Sequence, residues 1–176
     1  MQPGMSRAFL ASLALSALLA ANPAAAQAPA TDFSAFAVGA PNSGLRVVPL
    51  AIETASGIHR YKVEVAETPA QQAKGMMFRP TMARDTGMIF PLEPPRPAAF
   101  WMRNTQVSLD IIFLSPDERV LNIVAEAQPL SDVTRPSRGV AGAVLELKGG
   151  EAARIGLKPG DRVRWKAVLG APRPSG

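Results

Sequence analysis

Apolar and polar residues alternate in short runs along most of this chain, and turn chemistry separates the runs. Side chains of an extended strand point alternately to two faces, so a period of two marks a half-buried strand. The clearest run sets His59, Tyr61, Val63 and Val65 against Arg60, Lys62 and Glu64. A second places Val107, Leu109, Ile111 and Phe113 on one face, with Gln106, Ser108 and Asp110 on the other. A third alternates Val163, Trp165 and Ala167 with Arg162, Arg164 and Lys166. Leu45 to Glu53, Gly87 to Leu92, Val120 to Ala125 and Ala143 to Lys148 are further strands by composition. Pro49, which has no N–H to give a ladder, predicts an edge position for the first of these. Ser56-Gly57, Ser115 to Glu118 and Lys158 to Asp161 supply turns. Strands spaced by turns, without long crossover helices, predict a mainly β fold. The expected form is a compact antiparallel β-sandwich or barrel with one or two short α-helices.

One helix announces itself. Thr68 can cap, Pro69 suits the first helical position and Gln71 completes a capping box. Ala70, Ala73 and Met77 then share a face, which predicts a helix to about Phe78. Gly75 within it signals a closely approaching neighbour. A brief helical turn is expected after Gly149-Gly150, through Arg154. The proline-laden stretch Pro91 to Pro97 reads as an irregular surface loop, and Gln128 to Gly142 as a long polar loop.

The N-terminus carries an address. A positive stretch, Met1 to Arg7, precedes an apolar run, Ala8 to Ala20, and the small residues Ala24-Ala25-Ala26. This order predicts a signal peptide over residues 1–26, cleaved before Gln27. The apolar run falls short of the ~20 residues of a membrane span, so no membrane anchoring is expected after cleavage. Residues 27–44 read as a disordered linker, 45–169 as a single β-rich domain and 170–176 as a frayed tail. The expected location is periplasmic or secreted.

Composition removes several chemistries. The chain has no cysteine, which excludes thiol nucleophiles, zinc knuckles and iron–sulfur ligation. Its single histidine, His59, leaves no multi-histidine metal site and makes a Ser-His-Asp hydrolase a poor fit. The net charge of +5 is spread without a basic run, which together with export argues against a nucleic-acid partner. No cofactor or metal is expected.

Five blocks stand in order: Gly75-Met76-Met77-Phe78-Arg79, Gly87-Met88-Ile89-Phe90, Phe100-Trp101-Met102-Arg103-Asn104-Thr105, Leu109-Asp110-Ile111-Ile112-Phe113 and Val144-Leu145-Glu146-Leu147. Together they resemble the domain of unknown function 192 family, small prokaryotic proteins and exported relatives, over roughly Tyr61 to Trp165. The resemblance implies a compact, mostly β fold with a short helix, and no activity. Met76 stands where the family often has Leu, and the loop before Phe100 is unusually rich in proline.

Polar residues near Trp101 form the best candidate ligand site. Asn104 donates and accepts, Thr105 adds a hydroxyl and Asp110 accepts through two oxygens. Trp101 offers a flat face, and Arg79 can pair with Asp110 or clamp an anion. The structural alternative makes Asn104-Thr105 a turn whose side chains bond to backbone. Glu146 is either a second carboxylate facing Asp110, forming an acid/base pair, or an arginine's salt-bridge partner. Met76, Met77, Met82, Met88 and Met102 suit soft copper(I) by chemistry and a core by their apolar neighbours. His59 reads as a satisfied, partly buried histidine, and Ser108 and Ser137 lack a base. The chain therefore reads as a non-catalytic binding or accessory module for a small polar ligand or an envelope partner protein. The competing reading is a hydrolase-like enzyme using Asp110 and Glu146, with a copper-binding module third.

Overall fold

The structure is a computed structural model in which residues 41–165 are described. The signal peptide expected over residues 1–26, residues 27–40 of the expected linker, residues 166–169 of the expected domain and the expected 170–176 tail lie outside the described residues. The elements run β1 (Arg46–Thr54), β2 (Gly57–Val65), α1 (Pro69–Lys74), β3 (Thr86–Arg96), β4 (Ala99–Phe100) and β5 (Leu109–Leu114). They continue as β6 (Val120–Ala127), β7 (Arg135–Pro136), β8 (Ala141–Lys148), α2 (Glu151–Ile155) and β9 (Arg162–Arg164). Seven strands form one sheet in the order β6-β5-β8-β3-β2-β1-β9, and β4 pairs with β7 in a second.

The sheet curls into a partly closed barrel. Its two edge strands meet at one end, where Arg119 bridges Arg162 and the Val120 N–H donates to the Asp161 carbonyl at 2.9 Å. The mainly β class expected from alternation is the one found, with two short helices. One pair departs from the antiparallel rule: β2 and β3 run parallel, joined through α1. A parallel neighbour needs a crossover connection, and α1 with its following loop provides it.

Alternation divides the core in two. The interior is built by Leu50, Ile52, Tyr61, Val63, Val65, Ile89, Ile112, Leu145, Leu147 and Val163, and α2 adds Ala152 and Ile155. The outer face carries a second cluster, with Met76, Met88, Phe90, Met102, Leu109, Ile111, Phe113 and Val144. Residues 109 to 114 and 141 to 147 are buried throughout because β5 and β8 are covered on both faces. Phe100 closes the outer cluster, meeting Phe90 and Phe113 edge to face at centroid distances of 5.0 and 6.2 Å.

Local chemistry explains the boundaries. The capping box is present: Thr68 Oγ1 accepts from the Gln71 N–H at 3.2 Å, and Gln71 Oε1 accepts from the Thr68 N–H at 2.9 Å. The helix stops at Lys74, short of Phe78, because Gly75 turns to φ 46°. A Cβ there would also stand 3.4 Å from the Phe90 ring, the close neighbour that glycine signalled. β9 reaches only Ala51 to Glu53 on β1, so Pro49 has a strand partner on its β2 side alone. The proline stretch differs from its expected irregularity. β3 extends through it to Arg96, and a register shift between Pro91 and Arg96 absorbs the ladder bonds that proline cannot make.

Candidate functional site

Across the outer face, one row of cross-strand neighbours reads Val47, Glu64, Met88, Glu146 and Ile111. Two carboxylates thus flank one methionine, two strand spacings apart, or about 10 Å between Cα atoms. The strands must come close here: a Cβ at Gly87 would lie 2.8 Å from the Glu146 carbonyl oxygen.

Arg79 reaches this row from the loop after α1. Its Nη1 donates to Glu64 Oε2 and its Nη2 to the Asn42 carbonyl at 3.2 Å. Asn42 is itself held by donating Nδ2 to the carbonyls of Gln71 and Gly75, each at 3.0 Å. Two atoms of the group are left over. Arg79 Nε and Glu146 Oε2 are buried with no hydrogen-bond partner among the described residues. Glu146 is only 4% exposed. Burial pushes its carboxyl up to about 8, with the Arg79 guanidinium pulling more weakly the other way, so near neutrality the acid is mostly protonated.

The loops beside Arg79 are held in uncommon backbone geometry. Phe78 has φ 63° and Asn104 φ 55°, and the Phe78 N–H donates to the Asn104 carbonyl at 2.8 Å. A bulky non-glycine residue at positive φ costs on the order of 1–3 kcal/mol and concentrates at functional sites. Among the described residues Asn104 Nδ2 approaches only the Met77 sulfur, at 3.8 Å, and the residue is exposed. Thr105 is buried and structural, its hydroxyl donating to the Arg103 carbonyl at 3.3 Å. Trp101 is half-buried with the Arg103 guanidinium 4.1 Å from its ring centroid, and Arg103 Nε donates to Asp132 at 2.7 Å.

Asp110 is elsewhere. The register pairs Asp110 with Leu147 and Ile111 with Glu146, so the two acids point to opposite faces of the sheet. They do not form the acid/base pair that a hydrolase reading requires, and Arg79 pairs with Glu64 and not with Asp110. Residues one apart in register on neighbouring strands differ in face, a parity that linear sequence does not reveal. Inside the barrel, Asp110 Oδ1 accepts from the Glu126 and Gly150 N–H groups at 2.7 and 3.1 Å, and Oδ2 from the Ala152 N–H at 2.6 Å. Gly150, which precedes α2, has no side chain to cap it, and Asp110 supplies that function from β5.

The remaining candidates sit in ordinary surroundings. Met76, Met88 and Met102 are buried in the outer core, Met82 packs against it and Met77 is half-buried. His59 Nε2 lies 3.0 Å from Ser56 Oγ and 3.2 Å from Thr54 Oγ1. Ser137 Oγ donates to the Gly139 carbonyl at 2.7 Å, and Ser108 lies against Gly149. A second charged cluster escaped the sequence reading. The buried Glu151 accepts from Tyr61 Oη at 2.8 Å and from Arg154 Nε at 2.9 Å, with Arg84 at 3.6 Å. The Arg154 guanidinium holds that carboxyl below the usual range, while burial and the Glu151 carboxylate raise the Tyr61 hydroxyl. Only the Glu151-x-x-Arg154 spacing of this cluster is visible along the chain. Glu64 was also missed, since within an alternating strand it reads as a solvent-facing charge.

The sequence profile of the DUF192 family, described as an uncharacterized ACR, matches residues 51–165, and the chain belongs to that family. A crystal structure of a protein of unknown function from Novosphingobium aromaticivorans is similar at 50% identity and a TM-score of 0.69, covering 73% of this chain and 94% of that one. A second, described as a putative transcription regulator from Sinorhizobium meliloti, is 37% identical with a TM-score of 0.68, covering 70% of this chain and 96% of that one. No curated protein matches.

Proposed function

We propose that the protein is an exported, non-catalytic binding module that recognises a small polar ligand on the outer face of its barrel. In this reading Arg79 and Glu146 form the centre, Asn104 the nearby rim, and Trp101 and Thr105 shape the adjoining loop. Asp110 serves the site only by holding the fold. One observation carries the reading: a guanidinium nitrogen and a carboxyl oxygen, both buried, share one face without a partner among the described residues. Native proteins seldom leave such atoms unpaired, because each costs about 1–3 kcal/mol. Phe78, a bulky residue held at φ 63° next to Arg79, supports the same place. Opposite-facing acids favour binding over hydrolysis.

The test is a thermal-shift screen of the mature chain, from Gln27, against cationic, neutral and anionic small polar compounds. A ligand of this site stabilises the wild type and fails to stabilise Glu146→Gln or Arg79→Lys. Equal stabilisation of all three chains places the ligand elsewhere, and no stabilisation by any class ends the reading.

A further inference from the structure

We infer that the Arg79–Glu146 site takes a small organic ammonium ion carrying an oxygen acceptor beside its nitrogen, an inference that rests on the binding role proposed above. Charge balance is the first argument. The row holds two carboxylates, Glu64 and Glu146, against the single guanidinium of Arg79, which is already engaged by Glu64. Near neutrality Glu146 keeps its proton and the row is balanced by the Arg79–Glu64 pair; a monocation that displaces this proton to solvent keeps that balance, with the carboxylate facing the bound cation. An anion would meet a guanidinium already paired and a second carboxylate beside it.

Hydrogen-bond direction is the second argument. Glu146 Oε2 is buried and has no donor among the described residues, and an ammonium N–H supplies one to the ionised carboxylate. Arg79 Nε has no acceptor among the described residues, and an oxygen on the same small molecule supplies one. The surroundings are the third. Met88 lies between the two carboxylates, and Met76, Met102 and Phe90 share its cluster. Polarizable sulfur and aromatic rings tolerate an organic cation better than aliphatic side chains do.

The experiment uses the wild-type mature chain with 13C-labelled methionine methyl groups. Ethanolamine is titrated beside three probes of similar size: ethylene glycol (neutral), glycolate (anionic) and tetramethylammonium (a cation without N–H). Ethanolamine should move the Met88 methyl resonance in a saturable way, and the other three should bind at least roughly tenfold more weakly. Glu146→Gln should weaken ethanolamine roughly thirtyfold or more, as loss of a buried charge partner does. If Gln at this position unfolds the chain, the wild-type resonances still decide. A Met88 shift led by glycolate or ethylene glycol overturns the ammonium inference and leaves the binding site standing. Tetramethylammonium equal to ethanolamine removes the role of the N–H donor and overturns it too. No shift from any probe, with no stabilising compound in the broader screen, overturns both.

Discussion

At the scale of single residues, Glu146 couples the stability of this fold to pH. Its carboxyl sits at about 8 against an ordinary value of 4.5, so the folded chain keeps a proton that the unfolded chain releases. Folding therefore takes up a proton between these values, and stability falls as pH rises through that window. The contribution is fully present below pH 4.5, is lost by about pH 8 and is flat beyond, on the order of a few kcal/mol in all. Glu146→Gln has no charge to bury and should flatten this slope, gaining on the wild type as pH rises. Urea denaturation from pH 4 to pH 9 measures it, and parallel curves for the two chains would contradict the assignment. Arg79 and Glu146 were both legible as candidates from residue type and position. Their partners were not, because Glu64 lies on a strand separated from β8 by β3, and only strand order brings them together.

Among the elements, α2 depends most on its neighbours. A five-residue helix has no stability of its own in water. It is held by Asp110, whose carboxylate gathers two N–H groups at the helix start and a third from Glu126 on β6. Asp110→Asn keeps one acceptor oxygen but turns an NH2 group toward a backbone N–H that then has no partner. We expect a loss of about 1–3 kcal/mol, with the melting temperature lower by several degrees. Thermal and urea denaturation check this, and a change under ~1 kcal/mol would show that the bonds to α2 carry little weight. The contrast with α1 is instructive. Thr68, Pro69 and Gln71 specify its start through contacts within four residues, so its beginning was readable. Its end was not, because the apolar face runs on to Met77 in the sequence while Gly75 turns to φ 46° and ends the helix at Lys74.

For the whole molecule, the seven-strand order places β8 between β5 and β3, covered by the interior core on one side and the outer core on the other. Backbone amides of β5 and β8 should exchange with solvent most slowly, opening only with global unfolding, while β9 and the β4–β7 pair should open locally. Hydrogen exchange followed by mass spectrometry reads this directly, and faster exchange in β8 than in β9 would contradict the two-core arrangement. The sequence by itself determined the mainly β class, the two faces of the alternating strands, the start of α1 and the polar residues to consider. These follow from near-neighbour rules: a period of two, the reach of a capping side chain, the limits of proline and glycine. Tertiary structure alone decided that Asp110 faces inward to cap a helix and that Glu146 faces outward beside Arg79. Alternation tells which residues of one strand share a face. Which strands lie side by side, and in which register, is set by long-range pairing, and a shift of one residue exchanges the two faces.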